Sequence, residues 1–108
     1  MELMQLTEQM IKTSQRIDKA TKEIHKMARK KAETEFEYRK ALGKQITTLK
    51  ADNMPVTLVA DVARANVAEL KLERDLADGL YKSSIESLRA LQSELSGLQT
   101  IARYQEEV

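Results

Sequence analysis

Residues 3–27 read LMQLTEQMIKTSQRIDKATKEIHKM, and the spacing of their apolar positions decides the fold. Leu3, Leu6, Met10, Thr13, Ile17, Ala20, Ile24 and Met27 follow one another at alternating steps of three and four. That rhythm gathers them on one face of a long helix, the pattern of a seam that buries itself against another helix. The same rhythm returns in residues 81–102, YKSSIESLRALQSELSGLQTIA, at Tyr81, Ser84, Leu88, Leu91, Leu95, Leu98 and Ala102. Between the two stretches stands the only proline, Pro55. The expected fold is therefore all-α: a long antiparallel helical hairpin, coiled-coil-like, with a short helix at the turn. Its seam residues are Ile17, Ile24 and Met27 from the first arm and Leu88, Leu91, Leu95 and Leu98 from the second.

The seam predicts a first helix over about 2–50. Past Met27 its pattern wavers, because Lys31, Thr34 and Gln45 occupy positions that would continue the apolar face. Leu42, Ile46 and Leu49 then restore an apolar face in a shifted register, which reads as a stutter. Residues 51–57 form the expected turn. Asp52 and Asn53 are turn formers, and Pro55 forces Met54 out of helical dihedrals. The hydroxyl of Thr57 is placed to cap a short helix over 58–64. Asn66-Val67-Ala68-Glu69 has the spacing of a capping box, so a last helix is expected to restart there and run over about 67–105.

Composition bounds the rest. A chain of 108 residues makes a single domain at most. Aromatic residues at 4% and the absence of tryptophan argue against a thick core, while 32% charged residues suit well-solvated helices. A small core of this kind needs support, so dimerisation into a helical bundle is expected. Cysteine is absent, which excludes disulfides and thiolate metal sites. The opening residues lack the basic and apolar blocks of a secretory leader, and no window resembles a membrane span, so a cytoplasmic location is expected.

The net charge of +1 conceals an asymmetry. Residues 1–50 carry 12 Lys and Arg against 7 Asp and Glu, whereas residues 51–108 carry 6 against 10. Much of the excess lies in one row, Lys12, Arg16, Lys19, Lys22, Lys26, Arg29 and Lys30, away from the seam. Such a row has three readings. It can be a solvated face paired with carboxylates of the second helix, a docking surface for an acidic protein, or a track for a phosphate backbone. It has no interleaved aromatic residues, which argues against single-strand recognition by base stacking.

Catalytic chemistry finds no footing. His25 is the only histidine, and its neighbour Glu23 is two residues away, on a different side of the helix. A helix-borne metal site wants such ligands three or four apart. The glycines at 43, 79 and 97 stand alone, so no phosphate-cradling loop exists. No enzyme activity, metal, cofactor or small-molecule substrate is expected. On the second arm, Leu72, Leu76 and Leu80 make a further apolar row beside Leu70 and Ala77. The short helix could fold back to cover it, or it could bind a partner. Arg74 is expected at its edge, poised for an ion pair. Gly79, Ser83, Ser87, Ala90 and Gly97 line a flank of small residues that reads more simply as an exposed face.

The segments Met54-Pro55-Val56-Thr57-Leu58-Val59-Ala60-Asp61-Val62-Ala63-Arg64, Leu72-Glu73-Arg74-Asp75-Leu76-Ala77 and Leu80-Tyr81-Lys82-Ser83-Ser84 carry a resemblance. They are similar to a widespread group of small, mostly uncharacterised phage and prophage proteins of low-GC Gram-positive bacteria. Those proteins share a PVT turn followed by an ARG motif, and an RD…LYKS helix. The similarity spans about residues 41–100, and Asn66 stands near a glycine of that pattern. It implies a phage-encoded protein from an early replication or recombination region, with no catalytic residues to carry over. Three functions are then open: an inhibitor or adaptor of a nucleic-acid-metabolism or defence protein such as a nuclease or CRISPR effector, a DNA-binding accessory, or a structural or assembly-chaperone protein.

Overall fold

The computed structural model describes residues 2–107, and among them the chain is all-α. Helix α1 spans Leu3–Ala51, α2 spans Val56–Asn66 and α3 spans Ala68–Glu107. The long helices α1 and α3 are the arms of a helical hairpin, with α2 at the turn. Contacts divide the chain into two units: one made of the outer segments up to Lys26 and from Lys82, the other of Met27–Tyr81.

In the first unit the seam is as the spacing predicts. Leu6, Thr13 and Leu98 are buried, while Met10, Ile17, Ala20, Ile24, Ser84, Leu88, Leu91, Leu95 and Ala102 are half-buried. Leu3 departs from the expectation and stays largely exposed, as befits the first helical residue. There the helix end is tied by the Gln5 side chain, whose Oε1 accepts the Glu2 N–H at 3.4 Å, one half of a capping box.

In the second unit the seam first continues past Met27 and then moves to the shifted register that the expected stutter implies. Lys31 is half-buried, Thr34 and Tyr38 are buried, and Ala41 and Gln45 are half-buried, so the original register continues as far as Gln45. Beyond it Thr48, the next position of that register, is exposed, while Leu42, Ile46 and Leu49 are half-buried, so the end of the face lies in the shifted register. The polar residues keep their seam positions because their polar atoms find partners, local for Thr34 and on another helix for Gln45. Thr34 Oγ1 lies 2.9 Å from the Lys30 carbonyl and 3.0 Å from that of Lys31. Gln45 Oε1 accepts a 2.9 Å hydrogen bond from Asn66 Nδ2.

The turn ends α1 through its backbone. Asn53 adopts a φ of 60°, the Met54 N–H donates to the Leu49 carbonyl at 3.1 Å, and the Asn53 N–H donates to that of Lys50 at 3.1 Å. Those paired bonds around a left-handed residue are a Schellman motif. Helix α2 starts at Val56, earlier than Thr57 would allow as its cap. Pro55 is its first flanking residue, with φ −53°, and no side chain caps it. Thr57 therefore lies inside the helix, since the fixed proline dihedral already sets the entry.

The expected capping box at Asn66 does not form either. Asn66 is the last residue of α2, and the break falls at Val67, with φ −115° and ψ 19°. The side chain of Asn66 is committed to Gln45 and so ties α2 to α1. Val59, Ala63 and Val67 are buried, placing one face of α2 and the junction beyond it in the core.

Candidate interaction surfaces

The cation row of α1 is solvent-facing throughout. In the first unit Lys12, Arg16, Lys19, Lys22 and Lys26 are all exposed, as are Arg29 and Lys30 in the second. Three of the seven have carboxylate partners. Arg16 Nη1 reaches Glu94 Oε2 on α3 at 3.7 Å, Lys26 Nζ lies 3.5 Å from Glu23 Oε1, and Arg29 Nε lies 3.0 Å from Glu33 Oε1. Lys12, Lys19, Lys22 and Lys30 make no ion pair among the described residues. Pairing with the acidic arm thus accounts for Arg16 alone, and four ammonium groups remain available to a partner.

A second feature joins the arms within the second unit, where residues 28–35 of α1 face residues 74–81 of α3. A cleft of about 530 Å³ is lined there by Ala28, Lys31, Ala32, Glu35, Arg74, Asp75, Asp78 and Tyr81. Its charges cross in reciprocal fashion. From α1, Lys31 Nζ lies 3.8 Å from Asp78 Oδ1 and 5.5 Å from the centre of the Tyr81 ring. From α3, the Arg74 guanidinium stacks 4.4 Å from the centre of the Tyr38 ring, with Nε 3.5 Å from Glu35 Oε2.

Asp75 Oδ1 accepts two further bonds from Arg74, at 3.1 and 3.0 Å. The Asp75 hydrogen bond holds the guanidinium above its ordinary pKa, with Asp75 and Glu35 adding their charges. Arg74 does form an ion pair, but it points into the inter-arm cleft and away from the edge of the leucine row. Planar stacking plus a carboxylate on each side is what arginine does and lysine does not. The cleft is therefore a clasp between the arms whose charges are mutually satisfied. Spacing alone did not reveal it. The available signal was that Lys31, Thr34 and Tyr38 continue the seam period exactly where apolar residues give out.

The leucine row of α3 stays uncovered. Leu72, Leu76 and Leu80 are 59, 58 and 55% exposed, whereas their neighbours Leu70 and Ala77 turn inward. Helix α2 does not fold over the row: it buries Val59 and Ala63, and Leu58 remains half out. Gly79, Ser83, Ser87, Ala90 and Gly97 are exposed, and a methyl group built on either glycine would meet nothing within 4 Å. That flank is an open surface.

Among the described residues no three His, Asp or Glu side chains converge as a metal ion would require, and no helix is long and apolar enough to cross a membrane. The chain matches no known protein family, no curated protein and no solved structure.

Proposed function

We propose that this chain is a non-enzymatic binding protein that docks on an acidic surface of another protein, as an inhibitor or adaptor. The carrying observation is the set of exposed cations on α1, Lys12, Lys19, Lys22 and Lys30, that no carboxylate of the described chain neutralises. Ammonium groups fixed at helical spacing on one face offer a partner a preset line of charge. Such a line accelerates encounter and fixes register more than it adds raw affinity. The resemblance to phage proteins of replication and recombination regions suggests the target class, a cytoplasmic protein of nucleic-acid metabolism or host defence. An inhibitor of a nuclease fits, because blocking a surface needs no catalytic group.

A DNA-binding accessory would use the same lysines and is the competing reading. It is less favoured because Glu23 and Glu33 sit within the row and engage Lys26 and Arg29. A pull-down from phage-infected lysate, with and without nuclease, separates the two. A stoichiometric protein that survives nuclease, and that the K12E/K19E/K22E variant loses while keeping its helicity, supports docking on an acidic protein. Nucleic acid recovered alone, with an affinity that falls steeply with salt, overturns it in favour of DNA.

A further inference from the structure

We infer that the element docking on the cation row is an amphipathic α-helix of the partner, with carboxylates at seven-residue intervals along one edge. The inference rests on the reading that the partner is an acidic protein, and it names the part of that protein that fits. Within the first unit, Lys12, Lys19 and Lys26 stand seven residues apart, and all three are exposed. Seven residues are close to two helical turns, so the three ammonium groups form one column beside the seam, with a repeat of about 10.5 Å. Lys12 and Lys19 make no ion pair among the described residues, and Lys26 Nζ reaches only as far as Glu23 Oε1, at 3.5 Å.

An apolar column runs alongside. Gln15 and Lys22 occupy the strip of α1 next to the lysines, and beyond it lie Met4 and Ile11, again seven residues apart. Met4 is 73% exposed and Ile11 54%. Ile11 and Gln15 also line a groove of about 380 Å³ with Leu95 and Gln99 of α3. One side of the first arm thus presents apolar contacts and a line of cations in parallel, both with the period of a helix.

A helix laid lengthwise over Gln15 and Lys22 meets both columns at once. Its side chains repeat at the same interval of about 10.5 Å, so carboxylates on one edge stay opposite Lys12, Lys19 and Lys26 while apolar residues on the other cover Met4 and Ile11. An extended strand presents one face every two residues, about 6.7 Å, and falls out of step. Asp18 stands exposed in the apolar column, seven residues after Ile11, and repels a carboxylate on that edge, which fixes the way the helix faces. A second copy of this chain does not supply the acidic edge, because no two of its Asp and Glu residues stand seven apart. The occupant is therefore a helix of another protein.

Two synthetic peptides of identical composition, both long enough to be helical alone, test this by titration into the full chain at low salt. The matched peptide carries glutamates seven residues apart with leucines along the adjoining column; in the control the same glutamates are scattered around the helix. The matched peptide should bind about 10-fold more tightly, or about 1.4 kcal/mol, which lies within the reach of three exposed ion pairs. It should shift the amide NMR signals of residues 11–26. The K12E/K19E variant should keep its helicity, since both side chains are exposed, and lose the preference, while I11S should weaken both peptides alike. Equal affinities, binding of neither peptide, or shifts confined to residues outside the first unit overturn the inference. A nuclease-resistant protein captured by the wild type and lost by K12E/K19E/K22E, with equal peptide affinities, overturns the helix and leaves docking on an acidic protein standing.

Discussion

Asn53 holds a φ of 60° so that the Schellman bonds of α1 can close, a conformation that strains any side chain and suits glycine best. Asn53→Gly should therefore stabilise the chain by about 0.5–1 kcal/mol, and Asn53→Ala should cost about 1 kcal/mol. Urea midpoints of the two variants, moving in opposite directions, check this. Arg74 offers a second residue-level test. Arg74→Lys keeps the charge but loses the stack on Tyr38 and the forked bonds to Asp75, so its urea midpoint should fall despite the conserved charge. At this scale the sequence was least legible. Lys31, Thr34 and Gln45 read as interruptions because periodicity counts only apolar residues, yet their partners Asp78, Tyr81 and Asn66 lie elsewhere in the chain or, for Thr34, in the helix backbone. Asn66 shows why a local motif misleads. Its spacing to Glu69 fits a capping box, but Gln45, 21 residues away, claims the amide.

Among the elements, the long helices were legible because their seams are repeated over many turns, whereas the ends of the short helix depend on single residues. The seam positions of the first unit are buried or half-buried from Leu6 to Ile24, and from Ser84 to Ala102 on the other arm. Neither Gly43 in α1 nor Gly97 in α3 carries a packing role, since a methyl group at either would meet nothing within 4 Å. Both sit in right-handed helix and lower its propensity. Gly43→Ala and Gly97→Ala should each stabilise by about 0.8–1 kcal/mol, additively because the sites are remote in sequence and share no neighbour. The sum of the two single shifts, compared with the double variant in urea unfolding, measures this. A smaller gain at Gly97 alone would mean that something packs on that open flank in solution.

For the whole molecule, the charge asymmetry between the arms invites the idea that attraction holds the hairpin together. The distances and exposures of the pairs between the arms decide against it. Arg16–Glu94 spans 3.7 Å and Lys31–Asp78 spans 3.8 Å, with all four side chains substantially exposed. Exposed pairs of this kind contribute about 0–1 kcal/mol each and fade as salt shortens the screening length to about 3 Å at 1 M. Leu98 is buried on the seam, and cutting such a leucine back to alanine costs about 2–4 kcal/mol. Leu98→Ala should accordingly lower the unfolding free energy more than E94Q and D78N combined. Raising salt from 0.1 to 1 M should move the wild-type urea midpoint little. If the charge-neutral double variant proved the more damaging, the arms would be held by their charges, and the apolar rhythm that opens at Leu3 would be a consequence of the hairpin instead of its cause.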